Sequence, residues 1–574
     1  MNTELTIETE RVDDIPLLLA EEQRMGLAEL LNEHFPTHGN WQGLSLGHVV
    51  EGWLAYILSA ADHRLSYVQG WAARRLRTLR GSLGEPVRAL DFSDDRLEIV
   101  LGMLSQDEAW VEFERALNAR SLRVYALPTH TVRLDTTTCS GYWTITEDGL
   151  FQLGYSKDHR PDLPQVKVML ATVDPLGMPV AVDVVAGQHA DDPLYIPAIR
   201  RVRESVPARG LLYVGDSKMG ARATRGYIQA GGDHYLVPLS RVQLPATALT
   251  AYLHSVWKGR QAVQEICRET ADGQRKVIAA GFERETQMQA MVKGEMCTWQ
   301  ERHLVVRSMQ QVRAAKTRLQ QRLTAAQQAL ADLNRRGRGR KRYTCIYDMW
   351  QAAEKIVQRY RVKPFLHLQY TLHVERRLVR RYRERPTRVV ESSSAHLAVT
   401  VDKKAVARYL QRQGWRVYAT SAPAHELPLA RAILAYRDQY IVEQTCGRLK
   451  GKPVAVTPMY LERDDYATGL LRLLSLGVRL LTVLEFQVRR RLATQETDLR
   501  GLYAGNPTRA TQRPTAEQLL AAFKEITLTV IHLPHLLLLH TTPLSDLQHR
   551  ILSLLDLPST IYTCLEDTHL SQPP

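Results

Sequence analysis

The chain of 574 residues is 44% hydrophobic and 24% charged, the composition of a folded protein with cores of its own, and it is several times longer than one ordinary domain. A formal charge of +14, from 75 Lys and Arg against 61 Asp and Glu, favours a polyanionic partner or serves solubility alone, and the placement of the charge decides between them. Cys139, Cys267, Cys297, Cys345, Cys446 and Cys564 include no Cys-x-x-Cys pair, so neither a zinc knuckle nor a disulfide framework is indicated. The acidic start Met1 to Glu10 lacks an apolar signal core and no stretch reads as a membrane span, which together give a cytoplasmic expectation with reduced thiols.

From Asp13 to about Ser121 the pattern is helical: Leu17, Leu18 and Leu19 open it, Val49 to Leu58 and Leu97 to Leu104 continue it, and Asp94-Asp95 can cap the last. Residues 1–125 therefore read as a helical N-terminal domain, and the expectation that it is a DNA-binding domain rests on the cations within it. Within it, Trp71 to Arg80 sets several cations near an aromatic, as a phosphate-contacting helix or a solvated face would. The period then switches to two. Val132 to Asp135, Gln165 to Val173 and Pro179 to Val185 read as strands, the last two joined by a turn at Asp174-Pro-Leu-Gly177. A helix from about Pro193 to Ser205, the apolar run Leu211 to Val214 ending at Gly215-Asp216, another helix and the strand Tyr235 to Pro238 follow. Strand-strand-strand-helix-strand-helix-strand is the order of an RNase H-like sheet, so 126–241 read as the first part of an α/β catalytic core.

Mixed short strands are expected from Ala262 to about Val306, and then a heptad runs through Met309, Val312, Lys316, Leu319, Leu323, Ala326, Leu330 and Leu333 as a coiled-coil arm. Asn334 to Arg342 breaks it and Ile346 to Tyr360 returns as a second amphipathic helix, giving a helical hairpin whose basic tip includes Arg338, Arg340 and Lys341. Strand-like patches at Leu366 to Val374, Leu397 to Val401 and Trp415 to Thr420 close this block, 242–425, which reads as an insertion domain. Between Arg302 and Arg388, 23 Lys and Arg stand against 5 Asp and Glu, a surplus of 18 that exceeds that of the whole chain. Contact with a polyanion is therefore concentrated there. Residues 426–495 complete the core, with Leu470 to Val488, interrupted by Arg472, Arg479 and Glu485, as a buried helix. In 496–574 a loose Gly501 to Pro514 precedes a Thr515-x-x-Gln518 capping box that opens a terminal helical segment.

Tyr436, Glu443 and Lys450 stand at multiples of seven in one helical pattern, so they are expected to share a face along roughly 21 Å of axis. A carboxylate between a stacking ring and a cation suits a phosphodiester, and a solvated amphipathic face has the same spacing. Asp135 ends the first strand and Asp216 the fourth; in the sheet inferred above those ends are neighbours, and Glu443 reaches them from a flanking helix. Three close carboxylates repel unless cations neutralise them, and hard oxygen ligands suit Mg2+ or Mn2+. Two such ions about 3.5–4 Å apart activate an attacking oxygen and stabilise the leaving one in phosphoryl displacement. Rival sites fare worse: Gln188 to Asp192 reads as a helix cap, His159 is not needed as a base beside metal-activated water, and no Gly-rich phosphate loop implies ATP.

These residues resemble the bacterial insertion-sequence transposases with an Asp-Asp-Glu RNase H-like core, in the group marked by a Tyr-Arg-Glu-Lys signature on the glutamate helix. Tyr436, Glu443 and Lys450 match that signature, and Arg133 to Thr138, Leu212 to Gly220 and Gly154 to Gln165 match the surroundings of the acids. The likeness runs from about Asp135 to Leu492. It implies a DNA transposase that cleaves at transposon ends and transfers the strand into target DNA, with two Mg2+ or Mn2+ ions held by Asp135, Asp216 and Glu443. It also implies double-stranded inverted-repeat ends and target DNA as partners, a homodimeric synaptic complex, and phosphate contacts from Tyr436 and Lys450. The signature arginine position is Gln439 here, and the nearby Arg437 points about 200° around the helix from it. Related members insert a tryptophan against a flipped base; Trp415 stands at a similar spacing, where stacking contributes roughly 1–3 kcal/mol, and a core tryptophan is the other reading. A structure-selective nuclease on the same core and a non-catalytic DNA-binding protein are the alternatives.

Overall fold

The computed structural model describes residues 6–269, 273–337, 339, 341–381, 383, 386–533 and 536–566. After β1 (Thr6–Arg11), seven α-helices follow from Ile15–Met25 to Asp107–Val124, as the 3.6-residue pattern predicts. The two-residue period then makes β2 (Thr131–Ser140), β3 (Gln165–Val173) and β4 (Met178–Ala186) an antiparallel meander. β3 is buried along its whole length because both faces of the sheet are covered. The helix Tyr195–Ser205 leads to β5 (Leu212–Gly215), parallel to β2, and Arg222–Ala230 leads to β6 (His234–Pro238), parallel to β5. Parallel neighbours require such crossovers, which is why the helices lie between these strands.

The sheet continues beyond β6. The segment expected to hold mixed short strands forms β7 (Gln264–Glu269) and a long hairpin of β8 (Arg275–Val292) and β9 (Glu295–Ser308). The outer ends alternate, with Met288, Ala290 and Val292 on the less exposed face of β8, but only weakly, and the strands run longer than expected. Next come the helices Met309–Asp332 and Ile346–Arg359 and a ribbon of β10 (Leu366–Val379) and β11 (Arg388–Val401). The chain then returns as β12 (Trp415–Thr420), between β6 and β9. The full order is β4-β3-β2-β5-β6-β12-β9-β8-β7, one mixed sheet of nine strands. The inserted strands thus extend the core sheet instead of folding as a sheet of their own.

The heptad helix is present, but it is not one strand of a simple coiled coil. Leu319, Leu323, Ala326 and Leu330 pack against Met349, Ala353 and Val357, and Leu366 and Leu397 of the ribbon seal the same core. A third layer therefore shares the seam.

The helix Asp464–Thr494 is the central pillar, packed on β4 and on the helices Asp94–Leu104, Leu46–Ala60 and Asp546–Leu555. It is long and apolar enough to cross a membrane by composition, yet 94% of its apolar window is buried inside the protein. Two of its charges are matched there: Arg472 donates to the Leu104 carbonyl at 2.9 Å and pairs with Asp107, and Glu485 pairs with Arg448 and with Arg489 at 2.5 Å. Arg479 is buried with Nε and Nη1 unpartnered among the described residues, and burial lowers its pKa to about 10. The N-terminal helices, the first five core strands and the pillar share one continuous apolar core.

The Thr515 capping box forms and opens Ala516–Ala521. The tail beyond it is not all helical: Thr527–Leu533 and Leu536–Thr541 are strands, and the former pairs antiparallel with β1, Glu8 opposite Val530. The partner strand is supplied from the opposite end of the chain, so the local sequence could not announce it.

Candidate active site

The register of the two central parallel strands positions the aspartates. Leu134 lies opposite Gly215 at the last pair of the β2–β5 ladder, so the next residues, Asp135 and Asp216, emerge side by side on strands about 4.8 Å apart. Asp135 lies within β2, not at its end, because the strand continues to Ser140 against β3. Burial holds the Asp135 carboxyl above its ordinary value and the Asp216 charge adds to this, while Lys157 and the Thr136 N–H act in the opposite sense. Lys157 Nζ donates to Asp135 Oδ1 at 3.1 Å and also reaches the Thr136 carbonyl. Asp216 Oδ1 accepts from the Tyr195 hydroxyl at 2.8 Å and from the backbone N–H groups of Lys218 at 2.8 Å and Met219 at 3.4 Å. Lys157 and Tyr195 were not singled out from sequence; the only signal for Lys157 was its place in the run Gly154 to Gln165.

The segment expected to be one helix from Tyr436 to Lys450 is two: Leu429–Arg437 and Tyr440–Lys450. Across the break the backbone tightens to three-residue bonds, Gln439 N to Tyr436 O at 3.1 Å and Ile441 N to Asp438 O at 2.9 Å. Tertiary bonds hold both break residues. Asp438 accepts from Arg268 at 2.9 Å, and Gln439 accepts from Arg133 at 3.4 Å while donating to the Leu134 carbonyl at 3.5 Å. Gln439, at the signature arginine position, thus ties the glutamate helix to the strand of the first aspartate. Arg133 is itself buried and clamped by Asp174 at 2.7 and 2.6 Å.

The second helix is anchored on its inner face. Thr445 Oγ1 donates to the Gly177 carbonyl at 2.7 Å, and Arg448 pairs with Glu485 and with Glu517 at 3.1 Å. Gly177 has φ of +73°, and a Cβ there would stand 2.7 Å from Thr445 Oγ1, so the turn after β3 accepts only glycine at this contact. Glu443 faces outward, exposed, its carboxylate making no hydrogen bond or ion pair among the described residues. Tyr436, on the preceding helix, packs on Tyr418 with ring centroids 4.6 Å apart; burial raises its phenol pKa, and both Asp216 and Glu443 add to the shift. Lys450 Nζ donates to Asp158 Oδ1 at 2.6 Å. The neighbours Lys157 and Asp158 therefore hold the first aspartate and the signature lysine together.

The remaining predicted residues disperse. Arg437 donates to the Ile278 carbonyl at 3.1 Å and lines a cleft with Arg268, Lys276 and Arg313. A neighbouring cleft carries Arg416, Tyr418, Tyr436, Gln439, Tyr440 and Glu443. Trp415 lies on the opposite face of β12 from Tyr418: it is half-buried, donates to the Gln411 carbonyl at 2.9 Å and meets Phe282 edge-on at 6.4 Å. It packs away from the carboxylates. Lys341 is exposed at the arm, and Arg338 and Arg340 lie outside the described residues.

Carboxylate oxygens are the hard donors that Mg2+ or Mn2+ take. The arrangement nevertheless does not gather three of them: among the described residues no group of three or more His, Cys, Asp or Glu side chains could hold a metal ion. The structure brings Asp135 and Asp216 side by side, with a lysine ammonium already balancing Asp135, and Glu443 does not complete a three-carboxylate group with them.

No family model matches the chain, and no curated protein does. Among solved structures it is similar to a chain of the piggyBac transposase synaptic complex with hairpin DNA, with a TM-score of 0.32 and 7% identity over 90% of this chain and 81% of that one. So loose a superposition leaves function to be argued from this chain's own residues.

Proposed function

We propose that the chain is a DNA transposase built on an RNase H-like core, which cuts at the ends of its element and joins the freed strand to target DNA. The observation that carries this reading is the parallel register of Leu134 and Gly215, which sets Asp135 and Asp216 side by side on the two central strands of the arrangement β4-β3-β2-β5-β6. Asp135, Asp216 and Glu443 are the acids of the reaction. Double-stranded DNA is the partner, and a homodimer on paired inverted repeats is the assembly. Two divalent ions belong to this reading through the family resemblance alone, because the side chains as arranged do not gather around one.

Several residues of this chain have roles that do not depend on an ion. Tyr195 and two backbone N–H groups converge on one oxygen of Asp216 and fix its carboxylate plane. Lys157 and Lys450 supply cations at the edge of the acids, where phosphates compete for them with Asp135 and Asp158. Arg268, Lys276, Arg313, Arg416 and Arg437 line adjoining clefts that end at Glu443 and favour a polyanion there.

The test is incubation of the protein with the inverted repeats flanking its gene in the presence of Mg2+ or Mn2+. Cleavage at the repeat ends followed by joining to a second duplex is expected. Cleavage without joining would identify a structure-selective nuclease, and binding without either a non-catalytic DNA-binding protein.

A further inference from the structure

The arm carries a surface remote in the sheet order from the carboxylates. β10 and β11 pair over 14 residues each, from Leu366 opposite Val401 to Val379 opposite Arg388, and at about 3.3 Å per residue the ribbon extends roughly 45 Å. Its root packs on the two arm helices, but beyond Tyr370 both faces of β10 are exposed. Leu372, Val374, Leu378 and Val389 are 45%, 52%, 62% and 58% exposed. Alternation sets the first three on one face of β10, and the pairing of Leu378 with Val389 sets the fourth on that face too. A two-stranded ribbon is marginal in water by itself, so a bare aliphatic stripe on it calls for a partner.

Cations surround the stripe. On the stripe's own face Arg376 pairs with Glu391 at 2.6 Å; Arg377 and Arg388 stand on the opposite face with Val379 and Val390, and Arg377, Arg380, Arg381 and Arg388 are exposed and make no ion pair among the described residues. The basic segment after the first arm helix lies along the same ribbon: Asn334 bonds Leu397 through both its amide atoms, Arg336 donates to Ser394 Oγ at 3.1 Å, and Ala395 N donates to the Tyr343 carbonyl at 2.9 Å. Two arginine-rich stretches far apart in the chain thus converge on one ribbon.

We propose that this ribbon is a separate duplex-DNA-binding element that lies in a groove, with the Leu372, Val374, Leu378 and Val389 stripe toward the groove floor and Arg377 and Arg388, on the other face, joining Arg380 and Arg381 near the tip in reaching the phosphates along its walls. The major groove admits a two-stranded ribbon of this width. A second copy of the ribbon fits worse, because it would bring a second set of unpaired guanidiniums alongside the first with nothing to neutralise either, whereas phosphates neutralise both faces. Charge complementarity selects the nucleic acid.

The experiment measures binding of the full chain to a random-sequence duplex by fluorescence anisotropy across a KCl series in EDTA. Replacing Arg377, Arg380, Arg381 and Arg388 together by Ser is expected to lower the slope of log K against log salt by about 3–4, since each neutralised phosphate contributes about 0.9. Leu378→Ser with Val389→Ser is expected to weaken binding several-fold at an unchanged slope. An unchanged slope in the arginine variant overturns the proposal, as does loss of self-association in sedimentation with the slope intact, which assigns the ribbon to a second copy. EDTA suppresses metal-dependent cleavage, so this outcome stands whether or not the element-end experiment succeeds.

Discussion

Replacing Glu51 by Gln should remove much of the pH dependence of stability in the N-terminal helices. Glu51 is completely buried on the helix Leu46–Ala60, and its Oε1 accepts from the Ala28 N–H at 3.1 Å in the first turn of Leu27–His34. Its other oxygen has no hydrogen-bond partner, so burial pushes the carboxyl from 4.5 up to about 7. Because the folded value lies above the unfolded one, folding retains a proton that the unfolded chain releases. The stabilisation is fully present below pH 4.5 and is lost as the pH rises through 7. At about 1.4 kcal/mol per pH unit across that gap, the loss is about 3 kcal/mol. Glu22, also buried, is pushed well above its ordinary value by burial and then by the Glu51 charge, so the variant relieves it too. The substituted amide keeps an acceptor for Ala28 N and cannot ionise. A chain of this size does not unfold in one step, so the assay is hydrogen exchange of Leu27–His34 and Leu46–Ala60 at about pH 5 and pH 8. Glu51→Gln should be near wild type at the lower pH and markedly better protected at the higher one, after correction for intrinsic rates. An equal difference at both pH values would refute the reasoning.

Asp216→Asn should abolish cleavage while leaving DNA binding and folding nearly intact, since the amide oxygen still accepts from Tyr195; Asp216→Ala should also bind but lose about 1–3 kcal/mol by orphaning that buried hydroxyl. Loss of folding in the Asn variant would make the residue structural. Gly177→Ala should cost about 1–2 kcal/mol in backbone strain and push Thr445 and the glutamate helix outward, lowering cleavage more than binding; unchanged melting and cleavage would show that the turn is not a support. Neutralising the segment from Arg335 to Arg342 should weaken DNA binding and flatten its salt dependence by about 1 for each phosphate left without its cation. Retention of the full slope would assign that segment to another partner.

Much of the half around Asp135 and Asp216 is legible because local periodicity encodes which face of an element is apolar. The meander β2–β3–β4, the crossovers to β5 and β6, the buried pillar helix and the Thr515 capping box all follow from such patterns. The placement of Asp135 and Asp216 on neighbouring strands follows too, once the order of elements is known. Elements whose partners are distant were not legible in the same way. The strand Thr527–Leu533 gains its hydrogen bonds from β1 at the other end of the chain, and the outer half of the β8–β9 hairpin carries only a weak apolar rhythm at Met288, Ala290 and Val292.

By itself, then, the sequence determined most of the helices, the core strands, the two aspartates on neighbouring strands and the basic character of the arm. Tertiary structure decided how the third acid stands. The heptad spacing of Tyr436, Glu443 and Lys450 describes one helix, but Arg268, 170 residues before Asp438, and the Leu134 carbonyl, 305 residues before Gln439, hold the chain in a tighter turn between the tyrosine and the glutamate. The same contacts leave Glu443 facing solvent while Lys157 balances Asp135. Periodicity fixes the face an element turns to its core; the partners its polar groups find depend on what the rest of the chain brings alongside.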